Sequence, residues 1–505
     1  MKKIFQIDQL TKKIELEKKK NKKIIHCHGV FDLIHVGHIK HFKEAKEIGD
    51  FLVVSITSDK YVNKGSGKPI FSENLRAEVL SSLEYIDAVY INHYTTPEKL
   101  ISLIKPDIYF KGPDYKNTKK DITKNILKEI SSVKKYGGRV AYSNDITFSS
   151  SNLINNYFDY YNLHQKNFLN NISKKYNFDF IFNKVNHIKK LKVLLIGETI
   201  IDQYVFGEVL GKSGKEPHLV LKEETQKNYL GGAAAVANHL STFCKTVNFF
   251  TLVGENDNNL NFIKNSLKKN VKVKFFNKKN SPTIIKKRFI DNITQNKLLG
   301  VYSINDEKLQ KDLELKLIKD IKRAAPSCDL ILISDYGHGF ISEKTAKIIG
   351  STRKFFSLNA QINASNHGYH SLRKYKKINN LIINEIELRH EMRDKIGNVE
   401  KIAFKLIKDL KTNNLIVTRG KHGAMLITKN GKTFSSPAFA NKIIDKVGAG
   451  DAMLAVISLC MKIKMPNDLA LFLGSLAGAT AVENIGNSKF INKDELLRQV
   501  QFSIK

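Results

Sequence analysis

The stretch Gly29-Val30-Phe31-Asp32-Leu33-Ile34-His35-Val36-Gly37-His38 decides how the first part of this chain folds. It follows the apolar pair Ile24-Ile25 and precedes a segment of helical character. It therefore predicts a buried strand, a glycine turn and a helix that opens at Gly37. A helix N-terminus offers unpaired N–H groups and a partial positive charge, which attract phosphate. The imidazoles of His35 and His38 would donate there to phosphoryl oxygens as charge shifts. The stretch thus indicates a site for a nucleoside triphosphate.

Length and composition limit the class of protein. With 505 residues the chain exceeds one ordinary core, so two or three domains are expected. No apolar run reaches membrane-spanning length, and the N-terminus has no apolar core typical of a signal peptide. The cysteines are far apart and predict reduced, buried thiols rather than a metal site or disulfides: Cys27, Cys244, Cys328 and Cys460. We therefore expect a cytoplasmic protein with no membrane partner.

The formal net charge of the chain is +34 at pH 7. A surface this basic attracts phosphate backbones, so a nucleic-acid-binding protein is one interpretation. The competing interpretation is a compositional bias, because Lys and Asn are abundant throughout and form no discrete basic block. The sequence also shows no RNA motif with interleaved aromatic residues and no zinc-finger spacing. Nucleic acid is therefore disfavoured as a partner, and the basic surface would instead recruit small anionic substrates.

Residues 1–155 are predicted to form a first, Rossmann-like domain of the doubly wound α/β class. Short apolar strands alternate there with helical segments such as Glu73–Leu83 and Pro97–Ile104, which is typical of a parallel sheet with ligands beyond the carboxyl ends of its strands. The predicted strands are Ile24–His28, Phe51–Thr57, Ala88–Asn92, Asp107–Phe110 and Arg139–Tyr142.

Residues 156–190 are rich in Tyr, Phe, Asn and Lys and contain no Gly, which predicts a helical linker between the domains. A homodimer that packs on this linker is one option, and the sequence does not decide it. A second, larger α/β domain is expected over 191–505. Asp202 to about Glu224 is polar and glycine-containing, which predicts a small β lid. The predicted strands of this domain include Val193–Ile196, Leu330–Ile333, Leu381–Ile383 and Leu415–Thr418.

The first domain resembles the cytidylyltransferase-like nucleotidyltransferases over roughly residues 24–155. The Lys-Gly-x-Asp-Tyr element is most similar to the nucleotidyltransferase domain of the bacterial heptose-phosphate enzymes. The residues that carry the resemblance are the Gly-Val-Phe-Asp run at 29–32, His35-Val36-Gly37-His38, Arg76-Ala77-Glu78, Lys111-Gly112-Pro113-Asp114-Tyr115 and Ser149-Ser150-Ser151.

The resemblance implies that a sugar-phosphate oxygen attacks the α-phosphorus of CTP or ATP and releases pyrophosphate, usually with Mg²⁺. Catalysis is then positioning and electrostatic stabilisation, with no protein nucleophile. By resemblance His35, His38 and Lys111 are catalytic. The implied nucleotide-binding residues are Gly29, Phe31, Asp32, Gly37, Arg76, Ser149, Ser150 and Ser151. Structural alternatives are a surface ion pair of Arg76 with Glu73 or Glu78, a solvated strand end at Lys111, and an ordinary helix cap at the serines.

A second phosphate motif is Asp445-Lys446-Val447-Gly448-Ala449-Gly450-Asp451, which precedes the helical run Ala452–Leu459. Small residues let the backbone approach a phosphate at the helix N-terminus. Asp451 would deprotonate a sugar hydroxyl as general base. The motif resembles the second signature of the ribokinase-like sugar kinases, with Lys446 where Thr is usual.

Further elements of residues 191–500 are similar to the same kinases, which use ATP and Mg²⁺. Asn384-x-x-Glu387 is implied at the metal. The residues implied at the nucleotide are Thr418, Gly420, Gly423, Gly448, Ala449 and Gly450. Those implied at the substrate are Asp202, Gly231, Gly232, Asn238 and Asp335. Ser334-Asp335-Tyr336-Gly337 resembles the heptose kinases, whereas Asn359–Ala364 departs from their usual Asp-Pro-Lys turn.

Together the motifs predict a bifunctional enzyme that phosphorylates a sugar and then activates the phosphate as a nucleotide sugar of the ADP-heptose type, for surface polysaccharide. The chain resembles the bifunctional heptose kinase and nucleotidyltransferase, although the kinase usually comes first in that family. Three alternatives stay open: only one active domain, a different phosphosugar or polyol, and a basic nucleic-acid-binding protein.

Overall fold

The computed structural model describes residues 3–62, 68–116, 125–143, 161–255 and 259–504. Contacts divide the chain into two compact units, one formed by Met1–Lys166 with Leu497–Lys505 and the other by Asn167–Leu496. The helices and strands of the first part of the chain are α1 (Ile7–Lys19), β1 (Ile24–Gly29), α2 (Val36–Glu47), β2 (Phe51–Thr57), α3 (Glu73–Ser81), β3 (Ala88–Asn92), α4 (Glu98–Ile104), β4 (Ile108–Lys111), α5 (Asn125–Lys135) and β5 (Arg139–Tyr142).

The first unit is built on a parallel sheet whose described strands lie in the order β3-β2-β1-β4-β5. Neighbouring residues of a strand face opposite sides of the sheet, so a strand buried on both sides reads as a continuous apolar run. Ile25 and Leu52 pack into a core that contains residues of α2 and α3, whereas Ile24 and Phe51 pack into a second core with residues of α1 and α4. The predicted doubly wound α/β architecture is confirmed.

The strand order sets where this unit can bind a ligand. From β1 the chain goes to β2 on one side of β1, while β4 lies on the other side. Such a reversal opens a crevice beyond the carboxyl ends of the two neighbouring strands. The loop after β1 leads to His35 and His38, and β4 ends at Lys111, so the catalytic residues predicted from the sequence flank this crevice.

The remaining elements belong to the second unit, Asn167–Leu496, except that the first and the last of them extend into residues of the first unit. They are α6 (Leu163–Lys175), α7 (Phe178–Ile188), β6 (Lys192–Lys212), β7 (Leu219–Gly231), α8 (Gly232–Ser241), β8 (Thr246–Gly254), α9 (Leu260–Ser266), β9 (Val271–Lys278), β10 (Ile284–Asp291), β11 (Lys297–Ser303), α10 (Lys311–Ala324), β12 (Leu330–Asp335), α11 (Glu343–Ser351), β13 (Phe355–Ala360), β14 (Asn380–Asn384), α12 (Glu385–Met392), α13 (Val399–Leu410), β15 (Asn414–Thr418), β16 (Ala424–Thr428), β17 (Thr433–Ser436), α14 (Ala449–Lys462), α15 (Asn467–Val482) and α16 (Lys493–Ser503).

A large mixed sheet runs through the second unit. Parallel pairings join β9, β8, β6, β12, β13, β14 and β15 in that order, and antiparallel pairings add β16 and β17. The helices α14 and α15 are apolar on nearly every side and are almost wholly buried, as expected of helices without a polar face. The N-terminus of α14 is thereby fixed near the carboxyl ends of the parallel strands.

The predicted β lid is present and is larger than the sequence indicated. Strand β6 is 21 residues long, and its second half pairs with β7 in antiparallel and with β10 in parallel orientation. Strand β11 extends this small sheet and is exposed along its whole length. The sequence pattern revealed only Asp202 to about Glu224, because β10 and β11 come from a distant part of the chain.

The close approach of β6 and β12 gives a prediction about stability. A Cβ atom at Gly197 would lie 2.2 Å from the carbonyl oxygen of Ser334 and 2.8 Å from Cβ of Ala233. We expect Gly197→Ala to lower the free energy of unfolding of the second unit by about 1–3 kcal/mol, because a backbone neighbour cannot yield as a flexible side chain would. Gly214→Ala is the matched control, since a Cβ there would meet no atom within 4 Å. Urea unfolding measures both variants, and equal midpoints for the two would contradict the packing argument.

Candidate active sites

In the first unit, two histidines stand at the N-terminus of α2. His35 is the N-cap residue, and its Nδ1 accepts the N–H of Gly37 at 3.1 Å. The rings of His35 and His38 lie with their centroids 4.0 Å apart. Burial lowers the pKa of His35, so the ring is neutral near pH 7. Because Nδ1 is the acceptor, the neutral ring carries its proton on Nε2 and is a hydrogen-bond donor there.

Phe31 packs against one of these two histidines, His38. It has a φ of +47°, and its ring packs edge-on against His38 with the centroids 5.3 Å apart and against Phe42 at 5.2 Å. A Cβ at Gly29 would come within 3.0 Å of the Phe31 ring, so the glycine makes room for this packing. In the structure Gly29 and Phe31 build the loop that presents the histidines, and their contact with a nucleotide stays a prediction.

Two further nucleotide-binding predictions need correction. The side chain of Arg76 is fully buried, and its guanidinium donates to the carbonyl oxygens of Val30 at 2.5 Å and Thr57 at 2.9 Å. It also forms an ion pair with Asp59 at 2.6 Å, so the surface pair with Glu73 or Glu78 is wrong as well. The carboxylate of Asp32 accepts the N–H groups of Ile70 and Phe71. Both side chains therefore fix the loop and do not face a phosphate.

Lys111 is a buried cation rather than a solvated strand end. Its Nζ lies 3.2 Å from Oε2 of Glu129 and 4.4 Å from the centroid of the Tyr115 ring. Burial alone would lower the pKa of Lys111, but the Glu129 carboxylate together with smaller contributions from Tyr115 and Cys27 more than offsets this and raises it. The ammonium group therefore stays charged near the end of β4. Ser149, Ser150 and Ser151 lie outside the described residues.

In the second unit, Asp451 lies in the first turn of α14. Gly448 is the N-cap with a φ of +90°, and a Cβ there would lie 2.2 Å from Oδ1 of Asn487, so only glycine fits. A Cβ at Gly450 would meet no atom within 4 Å. The small residues Gly448, Ala449 and Gly450 thus leave the N–H groups of this helix end approachable by an anion.

The carboxyl group of Asp451 has the properties of a base that works near neutral pH. Burial, assisted by the charge of Asp202, raises its pKa to about 7 against the opposing effects of Tyr336 and Lys286. The hydroxyl of Tyr336 donates to Oδ1 of Asp451 at 2.6 Å. A carboxylate with a pKa close to the working pH is suited to accept a proton from a hydroxyl group.

Asp202 and the glycine pair lie together beside the lid. Oδ1 of Asp202 accepts from Arg288 on β10 at 2.6 Å. A Cβ at Gly231 would lie 2.1 Å from Oδ2 of Asp202, so the carboxylate occupies the space that a side chain would take. Gly232 has a φ of +56° where α8 begins. Since Asp202 also acts on the pKa of Asp451, the structure brings these two predicted residues together.

Asn238 and Asp335 were predicted to contact the substrate. Both predictions are corrected, because both side chains bond to other groups of the protein. The amide of Asn238 is fully buried and bonds to the carbonyl of Ser266 and the N–H of Lys268. The carboxylate of Asp335 accepts from Tyr375 at 2.6 Å and from Lys374 at 2.7 Å. These side chains hold loops of the scaffold.

Asn384 and Glu387 form a reciprocal cap at the N-terminus of α12. The Asn384 side chain accepts the N–H of Glu387 at 2.8 Å, and the Glu387 carboxylate accepts the N–H of Asn384 at 2.7 Å. Burial raises the pKa of Glu387 to about 7, and Asp451 adds to the rise. The carboxyl groups of Glu387 and Asp451 repel each other, and a cation nearby would reduce this repulsion. Asn384 and Glu387 therefore fit a Mg²⁺ that is held mainly by nucleotide phosphates and water.

The predicted nucleotide turn Thr418–Gly423 connects the antiparallel strands β15 and β16. Thr418 is the in-register neighbour of Asn384, which places the turn at the same edge of the sheet. Gly423 has a φ of +78°, and a Cβ there would lie 2.0 Å from the carbonyl oxygen of Ser436. Gly420 has a φ of +55° with open space beside it. The contact of this turn with a nucleotide stays a prediction.

A cavity of about 1290 Å³ lies next to the turn Gly337–Gly339, and none of the predicted site residues lines it. Its walls carry Lys308, Lys344, Lys347, Arg373, Lys374, Lys376 and Lys377. The cavity therefore belongs to the surface beside the Asp451 site.

Within the described ranges, no three His, Cys, Asp or Glu side chains converge as a ready-made metal site. No helix among the described residues has the length and apolarity needed to cross a bilayer.

The model of the pfkB family of carbohydrate kinases matches residues 190–494 of the chain. These matched residues are more than half of the chain. The chain belongs to the pfkB family. The model of the cytidylyltransferase-like family matches residues 26–157, so the pfkB domain follows a cytidylyltransferase-like domain.

Two similar curated proteins are both called bifunctional protein HldE. The one from Geobacter metallireducens is 42% identical over 140 residues, 27% of this chain and 27% of that protein. The one from Campylobacter concisus is 44% identical over 117 residues, 23% of this chain and 25% of that protein. The chain spans about a quarter of the length of the curated relatives it matches.

Solved structures agree with the pfkB fold. Phosphofructokinase-2 from Escherichia coli in complex with potassium has a TM-score of 0.51 at 16% identity, with 63% of this chain and 100% of that chain covered. The same enzyme with substrates and products has a TM-score of 0.50 at 15% identity over the same shares. Identities this low show a common fold alone.

The burial of Arg76 gives a prediction for the first unit. Arg76→Met removes the donor that the carbonyl oxygens of Val30, Thr57 and Phe71 and the carboxylate of Asp59 share, so we expect a loss of stability on the order of 2–4 kcal/mol. Arg139→Met is the control, because Arg139 is exposed on β5. Thermal unfolding of both variants measures the difference. A variant Arg76→Met that is as stable as wild type, yet no longer binds nucleotide, would restore the phosphate-binding role.

Proposed function

We propose that the pfkB domain phosphorylates a sugar with ATP and that the cytidylyltransferase-like domain then transfers a nucleotide to a sugar phosphate. The observation that carries the proposal is Asp451 at the N-terminus of α14, beside Asp202 and within a family of carbohydrate kinases. The resemblance to proteins called bifunctional HldE supports a heptose phosphate as the sugar substrate. Small-molecule substrates also account for the basic surface without a nucleic-acid partner.

In the kinase reaction, Asp202 would hold sugar hydroxyl groups and Asp451 would take the proton from the reacting hydroxyl. The oxygen then forms a bond to the γ-phosphorus of ATP, and the bond to the ADP oxygen breaks. The N–H groups at Gly450 and Asp451 would stabilise negative charge on the transferred phosphoryl group. A Mg²⁺ near Asn384 and Glu387 would neutralise charge on the nucleotide phosphates.

In the nucleotidyl transfer, an oxygen of the sugar phosphate attacks the α-phosphorus of ATP or CTP, and pyrophosphate leaves. His35 would donate through Nε2 to phosphoryl oxygens, and His38 lies beside it. Lys111 would supply a fixed positive charge from the end of β4. Because each group stabilises developing charge, the domain needs no nucleophile of its own.

The two half-reactions are separable by single substitutions. We expect Asp451→Asn to reduce ADP formation from ATP and a heptose phosphate by at least about 100-fold, because the proton acceptor is lost. It should leave pyrophosphate release by the other domain unchanged. His38→Ala should do the reverse. A panel of phosphorylated sugars with ATP and CTP, followed by both product assays, measures this; a chain with only one active domain would show one product with every sugar.

The pKa of Asp451 predicts how the kinase reaction depends on pH. A base must be deprotonated to act, so kcat/KM should rise as pH increases through about 7, where Asp451 loses its proton. A pH–rate profile from about pH 6 to about pH 8 checks this. A profile that is flat over this interval would exclude Asp451 as the base that titrates there.

A further inference from the structure

We infer that Tyr336 holds the carboxylate of Asp451 in its working position and that Glu198 fixes Tyr336, so both are positioning residues of the kinase site. The inference rests on the proposed function, since Asp451 must be the base. Tyr336 lies in the run Ser334–Gly337, of which only Asp335 carried a functional prediction, and Glu198 belongs to no predicted motif. Glu198 directly follows the part of β6 that pairs in parallel with β12, Val193–Gly197, and Tyr336 directly follows β12.

The first link is the phenol of Tyr336. Its side chain is 2% exposed, and its hydroxyl donates to Oδ1 of Asp451 at 2.6 Å. Burial and the negative charge of Asp451 raise the pKa of Tyr336 far above its ordinary value, so the hydroxyl stays protonated and remains a donor. Because Oδ1 is engaged in this bond, the geometry leaves Oδ2 to take the proton of the sugar hydroxyl.

The second link is the backbone of the turn after β12. Glu198 is completely buried, and its two carboxylate oxygens accept the N–H of Tyr336 at 3.0 Å and the N–H of His338 at 3.2 Å. The carbonyl oxygen of Tyr336 accepts from the side-chain amides of Asn363 and Asn366, both at 2.8 Å. Side chains thus hold the peptide groups on both sides of the residue that contacts the base.

The third observation is the cost of this arrangement. Between Tyr336 and His338, Gly337 has a φ of +73°, and a Cβ there would lie 2.4 Å from Nδ2 of Asn366. Burial raises the pKa of Glu198 to about 7, and Asp335 adds to the rise while Lys374 opposes it. A buried carboxyl group destabilises a fold unless its hydrogen bonds are satisfied. Here the carboxylate of Glu198 forms those bonds with the turn that carries Tyr336.

The charges that face Asp451 come from several elements, and all of them affect its titration. Asp202 on β6 raises the pKa of Asp451 and Lys286 on β10 lowers it, whereas Asp451 itself raises the pKa of Glu387 on α12. Tyr336 is the neighbour that acts through a direct hydrogen bond to the carboxylate. Removal of its hydroxyl therefore changes one contact and leaves the charges in place.

The test is to titrate Asp451 by infrared difference spectroscopy of protein labelled with ¹³C-aspartate, which separates it from Glu198 and Glu387. The band that Asp451→Asn removes belongs to Asp451. We expect Tyr336→Phe to move its midpoint upward by about half a unit to one unit, because the charged form loses a donor. Tyr375→Phe is the matched control, since it removes a buried hydroxyl that donates to Asp335 at 2.6 Å, and it should leave the midpoint in place.

Glu198→Gln provides a second variant, since an amide offers one acceptor where the carboxylate offers two. We expect kcat of sugar phosphorylation to fall at least about tenfold with KM for ATP nearly unchanged, and the Asp451 midpoint to move upward as well. An unmoved midpoint in Tyr336→Phe, or an equal shift in Tyr375→Phe, would overturn the inference. The spectroscopic result needs no sugar, so a shifted midpoint in a protein that phosphorylates no sugar would count against the proposed function alone.

Discussion

The proposed chemistry of each unit depends on the electrostatics of a helix N-terminus. In the first unit α2 begins after the loop that follows β1, and in the second unit α14 begins near the carboxyl ends of a parallel sheet. At α14 the small residues Gly448, Ala449 and Gly450 leave the N–H groups approachable, whereas at α2 the side chains of His35 and His38 stand at the helix end and His35 accepts the N–H of Gly37. The core residues Phe42 and Ala45 anchor α2, and α14 is almost wholly buried, so neither helix end can move without disturbing a core.

The buried ionisable groups are of two kinds, those that stabilise the scaffold and those that are suited to proton transfer. Arg76, Lys111 and Asp335 are buried with opposite charges beside them, and the pKa shifts of Lys111 and Asp335 favour their charged forms. The pKa values of Glu198 and Asp451 instead rise to about 7, because burial is not matched by a strong ion pair. Groups of the first kind stabilise loops, whereas Asp451 is poised to exchange a proton near neutral pH.

The sequence predicted the strands of the first unit to within a residue, because continuous apolar runs bounded by polar turns leave little ambiguity. The roles that it assigned to Asp202 and Asp451 stay predictions, although Asp202 is close enough to Asp451 to raise its pKa. It failed for Arg76, Asp32, Asn238 and Asp335, whose partners are backbone groups distant in sequence and invisible to a motif. Tyr336 was missed for the same reason: its hydroxyl meets Asp451 across 115 residues. Family motifs locate a site, but only the fold tells which polar side chains face it.

The most direct test of the account is a crystal structure of the full chain with a non-hydrolysable ATP analogue and Mg²⁺. The account predicts phosphate groups within hydrogen-bonding distance of the N–H groups at Gly450 and Asp451 in the second unit, and beside His35 and His38 in the first. Phosphates bound elsewhere in both units, with these two helix ends left in contact with solvent alone, would contradict it.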